Sequence, residues 1–296
     1  MRNVMWPRDT VFFQNWRMNC TRLAMVVMIA LALSCNQSSS EHSNTIQTSD
    51  TSINFDQRLI GTGTPTIIFE AGLGDGNEHW TTLQDSLSKS YTTLSYDRLG
   101  VGESPSTTLR RTVENQVEDL HQLITQNSID GPIILVGHSM GSYIVRKYQS
   151  TYPDDIAGIF LIDPSHEYQH DEIRSRMSMQ EVDSMKAAME SFFSEQPKGV
   201  YNEYLEFEPT WIKMREVPFP KDIPVHIVAS WRENSFLTPE NMAAKKKLYN
   251  NWLMGHENIT MTSTTQSGHY IHLDEPGLVL ELIRDFLSDV DLSLAP

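Results

Sequence analysis

Cysteine is almost absent from this sequence of 296 residues, in which Cys20 and Cys35 are the only two. Beyond residue 35 the chain therefore has no means of forming a disulfide and no thiol chemistry. Positive charge is also scarce, because 23 Lys and Arg stand against 38 Asp and Glu, which gives a formal net charge of −15. Contacts to phosphates need clustered Lys and Arg, so this balance argues against nucleic acid as a partner.

Apolar runs long enough to span a bilayer are missing as well. The longest near the amino terminus covers residues 23–33 and follows Arg17 and Arg22. Its length is that of the hydrophobic core of a secretory signal, and it is too short for a transmembrane helix. We therefore expect residues 1–35 to act as a signal peptide.

The end of this signal, residues 31–35, resembles the lipobox of bacterial lipoproteins, in which the cysteine becomes the lipidated first residue of the mature chain. Ala32 stands where the lipobox usually has leucine. The resemblance implies an exported protein of a bacterial cell envelope, held at the membrane only by a lipid on Cys35. It also suggests Met18 as the start of translation. An ordinary cleaved signal and an uncleaved anchor are the alternatives.

Residues 36–52 are rich in Ser, Thr, Asn and Gln and have almost no large apolar side chain. Such a composition is typical of a flexible tether. The remaining residues, 53–296, are expected to form one domain. A hydrophobic content of 39% fits a globular fold with a sizeable core.

Short apolar segments alternate with segments of helical periodicity along this domain. The spacing predicts βαβ units, and hence an α/β fold with a mostly parallel sheet and helices on both faces. Residues 53–60 alternate as an edge strand does. In such sheets ligands bind beyond the carboxyl ends of the strands. The other predicted strands are residues 66–69, 91–96, 133–136, 156–162, 223–229 and 259–263.

The alternation breaks between residues 167 and 222, where methionine, glutamate and aromatic residues are frequent. We expect this insert to be a small helical cap. Its helices either cover the sheet edge by packing alone or form a mobile cap whose methionines and aromatics line an acyl pocket. The two interpretations are compatible.

One motif organises the domain. Residues 137–141 read Gly-x-Ser-x-Gly, with an apolar strand before them and a helix-compatible segment after them. A serine on such a tight strand-to-helix turn has an accessible hydroxyl, and a Cβ at Gly137 or Gly141 would collide with the neighbouring strand or helix. The pattern predicts that Ser139 is a nucleophile.

Together with four other blocks in the expected order, this motif makes residues 53–290 resemble the α/β-hydrolase superfamily. The other blocks are the loop at residues 70–74, the Asp-Arg-Leu-Gly-Val-Gly-Glu-Ser segment at residues 97–104, Ile-Pro-Val at residues 223–225, and Ser-Gly-His at residues 267–269. The resemblance implies an α/β-hydrolase domain over residues 53–296, with the cap inserted at residues 167–222. It also implies that Asp97 and Arg98 brace the loop above Ser139.

A serine hydroxyl needs a base within hydrogen-bond reach to become nucleophilic. His269 lies where the family places its histidine. The acid that orients it has two candidates. Glu233 follows the strand after which most members carry it, but the usual Gly-x-x-Asp there reads Ser-Trp-Arg-Glu, whereas Asp163 ends the strand after the nucleophile helix, as in other members. We favour Asp163 and keep Glu233 as the alternative.

By resemblance, the backbone N–H groups of Leu73 and Met140 form the oxyanion hole. His138 is expected to point away from the reaction, and His272 to be a structural hydrogen-bonding residue. Asp163, His166, Glu167 and His170 could be drawn as a metal site, but exposed residues of these types usually bind nothing, so no metal is expected. No cofactor is implied either.

These residues predict a serine hydrolase whose most favoured substrate is a small-molecule carboxylic ester, cleaved through an acyl-enzyme on Ser139. Acyl transfer, or thioester or amide hydrolysis, on the same residues is the first alternative. A binding or adhesion scaffold of the same fold without catalysis is the second.

Overall fold

The computed structural model describes residues 53–234 and 237–290. The predicted signal peptide at residues 1–35, with Met18 and Cys35, and the tether at residues 36–52 lie outside the described residues. Among the residues that are described, no helix has both the length and the apolar character needed to cross a lipid bilayer.

The described residues form a seven-stranded sheet with the order β1-β3-β2-β4-β5-β6-β7. Only the pair β1 and β3 is antiparallel, and every other neighbouring pair is parallel. This confirms the mostly parallel sheet with an edge strand at its start. The strands are β1 (Gln57–Ile60), β2 (Thr66–Glu70), β3 (Thr92–Tyr96), β4 (Ile133–His138), β5 (Ile156–Ile162), β6 (Val225–Ser230) and β7 (Ile259–Thr264).

Helices connect the strands and cover both faces of the sheet. A 3₁₀ turn (Asn77–Trp80) leads into the first of them. The helices are α1 (Thr81–Leu87), α2 (Val113–Gln126), α3 (Gly141–Thr151), α4 (Gln169–Arg174), α5 (Met179–Ser194), α6 (Lys198–Met214), α7 (Pro239–Leu253), α8 (Ile271–Asp274) and α9 (Pro276–Asp289).

Side chains of each central strand point alternately into two apolar cores, as the period of a strand requires. In β4, Leu135 packs into the core under α2, α3 and α7, whereas Ile134 and Val136 pack into the core under α1 and α9. All three are fully buried. Both faces of the strands are therefore apolar, which explains why the strands read as continuous hydrophobic runs rather than as alternating ones.

The helices α4, α5 and α6 lie between β5 and β6, within the insert predicted as a cap. The helix α5 begins with a capping box, in which the Glu181 N–H donates to the Ser178 hydroxyl and the Ser178 N–H donates to the Glu181 carboxylate. Of its side chains only Phe193 is buried, and Met179 is 84% exposed. A third apolar cluster joins Phe193 and Val200 of this insert to Val101 of the main domain. The insert therefore packs on the loops at the carboxyl edge of the sheet.

Candidate active site

Ser139 occupies the turn between β4 and α3 with a backbone φ of +51°. This left-handed conformation is unusual for a residue with a Cβ and costs of order 1–3 kcal/mol. Two hydrogen bonds hold it, because the Ser139 N–H donates to the Ile162 carbonyl (3.2 Å) and the Ser139 carbonyl accepts from the Ser165 N–H (3.1 Å). The serine is thus fixed to the end of β5, with its side chain partly exposed.

Close backbone packing explains the glycines on either side of this serine. A Cβ on Gly141 would lie 2.4 Å from the Glu70 carbonyl oxygen at the end of β2, and one on Gly137 would lie 2.8 Å from the Val145 side chain. Both distances are shorter than real Cβ contacts allow. The start of α3 can therefore lie directly against the loop that follows β2.

His269 lies in the loop between β7 and α8 and meets Asp163, the residue directly after β5. The distance from His269 Nδ1 to Asp163 Oδ2 is 2.7 Å. The histidine is 43% exposed while the carboxylate is buried. On the other side, the ring of His269 lies 4.6 Å from that of His138, the residue before Ser139. The structure thus brings the predicted nucleophile, base and favoured acid to one edge of the sheet.

The second oxygen of Asp163 has two further partners. Oδ1 accepts from the Ser230 N–H at 2.9 Å and from Lys245 Nζ at 2.6 Å. Burial by itself would raise the pKa of Asp163, but the Lys245 ammonium and the His269 hydrogen bond outweigh it and lower the pKa to about 2. The carboxylate is therefore ionised and can act only as an acceptor.

Lys245 is buried, with 5% of its side chain exposed, and neutralises this carboxylate. Replacing Lys245 by methionine should leave Asp163 as a buried charge without its cationic partner. We expect this to lower the free energy of unfolding by about 3 kcal/mol at pH 7. Because the fold lowers the pKa of Asp163, the ionised carboxylate stabilises the protein when the pH is above the ordinary pKa of 3.8. This stabilisation is lost as the pH falls to about 2. The loss in Lys245→Met should therefore be smaller at pH 3, where Asp163 of the variant can take up a proton.

Urea denaturation at the two pH values measures this effect. The matched control is Lys247→Met, because Lys247 is exposed on the same helix, and its change should stay within about 0.5 kcal/mol. Equal losses of unfolding free energy in the two variants would show that the ion pair does not stabilise the fold. A loss in Lys245→Met that does not depend on pH would show the same.

Glu233, the alternative acid, lies exposed in the loop after β6. In the part of the chain that the structure describes, no contact joins it to His269. The turn that carries Glu233 contacts Asp163 instead, because the Ser230 N–H donates to Asp163 Oδ1. The Ser230 hydroxyl donates to the Ser267 carbonyl (2.8 Å), two residues before His269. Ser230 thus links Asp163 to the loop that carries His269.

Of the two predicted oxyanion donors, one lies in the nucleophile turn and the other in the loop after β2. Met140 is the residue before the first turn of α3 and is buried, and Leu73 is partly buried in the loop after β2. Within residues 53–234 and 237–290, neither backbone N–H donates to a protein acceptor. Backbone N–H groups without an internal partner near a helix N-terminus are suited to bind negative charge.

Two further histidines pack around this site. The ring of His138 is buried, and its Nε2 lies 3.1 Å from the His269 carbonyl oxygen. Burial, together with the neighbouring His272 and His269, lowers the pKa of His138 well below its ordinary value, so it is neutral. The expectation that His272 makes structural hydrogen bonds is not met in the described part of the chain, because neither ring nitrogen has a partner there. Its ring stacks on Trp80 instead, at 4.6 Å.

The residues considered as a metal site are packed against aromatic rings. His166 stacks on Trp252 (4.2 Å) and His170 on Trp211 (4.0 Å). His166 and Glu167 are also buried, not exposed as the sequence suggested. Among the described residues there is no group of three or more His, Cys, Asp or Glu side chains that could hold a metal ion.

Sequence reasoning missed two buried charged residues that contact this site, Lys245 and Glu203. Lys245 belongs to a run of three lysines, a pattern that usually marks a solvated face, and Glu203 lies in the insert. A signal was nevertheless present in the spacing. Lys245 precedes the buried Leu248, Tyr249 and Trp252 by three, four and seven residues and so shares their face of α7.

The sequence of this chain is similar to those of known proteins. The family model described as "alpha/beta hydrolase fold" matches residues 65–216. An uncharacterised protein of Bacillus subtilis, YqjL, is 27% identical over 237 residues, which cover 77% of this chain and 86% of the relative. The (lyso)-N-acylphosphatidylethanolamine lipase of Bos taurus is 34% identical over 104 residues, but these are only 34% of this chain and 30% of the lipase.

Among solved structures, the enol-lactonase of Burkholderia xenovorans LB400 is similar with a TM-score of 0.59. The similarity covers 80% of this chain and 99% of the lactonase at 16% sequence identity, so it concerns the fold alone. The family match spans more than half of the chain and includes β2 to the end of the cap helices. Together with the seven-stranded sheet, it shows that the chain belongs to the alpha/beta hydrolase family.

Proposed function

We propose that this protein is a serine hydrolase that cleaves carboxylic esters through an acyl-enzyme on Ser139. His269 is the base in this proposal and Asp163 the acid that orients it. The observation that carries the proposal is the position of His269, held at 2.7 Å by the buried Asp163 and packed against the residue next to Ser139. A histidine oriented by a carboxylate beside the nucleophile turn is part of what serine activation requires.

Proton transfer follows from the state of Asp163. An ionised carboxylate can only accept, so His269 donates Nδ1–H to it and presents the lone pair of Nε2 on the opposite side of the ring. Nε2 takes the Ser139 proton as Oγ attacks the carbonyl carbon, and Asp163 stabilises the imidazolium that forms. His269 then gives this proton to the leaving alkoxide as the C–O bond breaks. Water releases the acyl group by the same steps.

The tetrahedral intermediate carries a negative oxygen, for which Leu73 and Met140 supply backbone N–H groups in this proposal. Both are without a protein acceptor among the described residues, and Met140 also lies at the N-terminal end of the α3 dipole. Loss of one such donor typically costs roughly 3–4 kcal/mol of transition-state stabilisation. Because side chains and backbone supply all of these groups, the proposed reaction needs no cofactor.

An ester is the substrate class that we favour. The named relatives include a lipase and, by fold alone, an enol-lactonase. An oxygen leaving group is also the least demanding for a single histidine acid, since the alkoxide can depart as the proton arrives. The cap cluster of Phe193 and Val200 beside Leu73 gives the site an apolar neighbour that suits an acyl chain.

Turnover of p-nitrophenyl acetate and butyrate tests the proposal, with the matching thioester and anilide measured in parallel. We expect the esters to be hydrolysed faster than the anilide, with an initial burst of nitrophenol that marks the acyl-enzyme. Adding methanol should divert only a small part of the acyl group to the methyl ester. Complete diversion to an alcohol or amine would favour acyl transfer, and a folded protein without any turnover would favour the scaffold.

A further inference from the structure

Glu203 lies on α6 of the cap, and its side chain is completely buried against the main domain. Its two oxygens bind Arg98 as a fork, with Nε to Oε1 at 2.6 Å and Nη2 to Oε2 at 2.8 Å. The two residues are 105 positions apart in the chain. A buried, bidentate pair of this kind fixes direction as well as distance.

Arg98 in turn holds the loop that carries Leu73. It donates to the Glu70 carboxylate at 2.7 Å, to the Ala71 carbonyl at 2.9 Å and to the Gly72 carbonyl at 2.6 Å. The same Glu203 accepts from the Gly74 N–H at 2.9 Å. The backbone on both sides of Leu73 is therefore bonded to the cap carboxylate and to the guanidinium that this carboxylate holds, while the Gly72 carbonyl also accepts from the Asp75 N–H at 3.2 Å.

These bonds set the direction of the Leu73 N–H. The Gly72 carbonyl and the Leu73 N–H belong to one peptide unit, and in a trans peptide the two groups point in opposite directions. Because Arg98 fixes the Gly72 oxygen on one side, the Leu73 N–H must point to the other. A rotation of this peptide would break the contact at 2.6 Å between Arg98 and Gly72.

The start of α6 is docked on the main domain by a second contact. A Cβ on Gly199 would lie 1.6 Å from the Gly100 carbonyl oxygen, so the two backbones touch. Gly100 belongs to the loop that follows Arg98. Two independent contacts thus seat the same end of α6 on the loops that surround the proposed oxyanion hole.

We propose that Glu203 is a positioning residue through which the docked cap aligns the Leu73 N–H for the oxyanion. The hole is then fully aligned only while α6 is seated. A cap that lifts would leave Arg98 bonded to Glu70, but it would remove Glu203 from the other side of the guanidinium and from the Gly74 N–H. This inference rests on the proposed function, because it concerns the oxyanion of that reaction.

The charge balance of the cluster makes a test practicable. Two carboxylates, Glu70 and Glu203, share the single guanidinium of Arg98, so Glu203→Gln leaves Arg98 paired with Glu70. The variant is expected to fold. The matched control is Glu206→Gln, one turn further on the same helix. Its buried carboxylate pairs with the exposed Arg110, ten residues beyond Gly100, and makes no bond to Arg98 or to residues 70–74.

The experiment measures kcat, KM and the inhibition constant of a trifluoromethyl ketone, whose adduct with the serine places a negative oxygen in the hole. Glu203→Gln should lower kcat by about 10- to 100-fold, less than the roughly 10²- to 10³-fold loss of a whole oxyanion donor. The inhibition constant should rise by the same factor. KM should change less than about threefold, because the substrate in its ground state does not use the hole. Glu206→Gln should match the parent in all three.

A merely structural role of Glu203 would lower the melting temperature without this split between kcat and KM, and that result would overturn the inference. Should Glu203→Gln fail to fold, Glu203→Asp keeps the charge but shortens the reach, and the same split is then expected in it. Parent-like constants in that variant would also overturn the inference. Failure of the proposed function itself looks different, since Ser139→Ala would then leave turnover unchanged.

Discussion

Replacing Ser139 by alanine should lower kcat for ester hydrolysis by about a million-fold and leave the fold intact. The size follows from the loss of the nucleophile, after which only binding and the oxyanion hole assist water. Alanine keeps the Cβ and can retain the backbone bonds to Ile162 and Ser165 that hold the left-handed turn. Steady-state kinetics with p-nitrophenyl butyrate, together with thermal unfolding, measures both parts of this prediction.

Ser184→Ala is the matched control for that variant, because Ser184 is exposed on the cap helix α5 and its hydroxyl donates to the Gln180 carbonyl of the same helix. Its kcat should equal that of the parent. A rate in Ser139→Ala within about tenfold of the parent would show that another group performs the attack, since a true nucleophile cannot be replaced by a methyl group.

Replacing Asp163 by asparagine should lower kcat by about 10⁴-fold, because an amide can donate to Nδ1 and so favours the wrong tautomer of His269. Glu233→Gln, the corresponding change at the alternative acid, should leave kcat within about twofold of the parent, since Glu233 is exposed and does not contact the histidine. The opposite pattern in the two variants would assign the acid to Glu233.

Asp163→Asn also removes the charged partner of the buried Lys245, which lies 2.6 Å away. Part of the lost activity could then reflect a less stable fold. The double variant Asp163→Asn/Lys245→Met separates the two effects, because it removes both charges together. We expect it to recover much of the unfolding free energy of the parent and none of the activity. Recovery of activity would mean that Asp163 acts through stability alone.

The fold was predictable because its signals are local. Each signal can be read from a segment of about ten residues. Examples are the run of apolar residues in β4, the glycines around Ser139 and the helical spacing after it. Parallel strands buried on both faces read as short hydrophobic runs, and their order along the chain predicts the layers. The predicted edge strand was too long, since pairing with β3 begins only at Gln57.

The carboxylate that contacts His269 was harder to predict, because two neighbouring strands each offer one. Strands β5 and β6 are parallel and adjacent, so residues after either of them lie at the same edge of the sheet. Asp163 follows β5 immediately, with a φ of +41° that turns its side chain towards Ser230 and His269. Only the three-dimensional path of the two loops distinguishes it from Glu233.

Glu203 illustrates what a sequence cannot show. Its partner Arg98 is far away in the chain, and an acidic residue in a glutamate-rich insert usually faces solvent. A buried pair of this kind depends on how the cap is seated, which no local pattern encodes. The same holds for the contact of Gly199 with Gly100, where each glycine alone looks like an ordinary turn residue.

Trapping the enzyme with a fluorophosphonate is the most direct test of the central claim, that Ser139 forms a covalent intermediate with the help of His269. Intact mass spectrometry should show one adduct per chain, and peptide mapping should place it on Ser139. The adduct should be absent from Ser139→Ala and form far more slowly in His269→Ala. A folded parent that hydrolyses esters without acquiring an adduct, or that acquires one on another residue, would contradict the account.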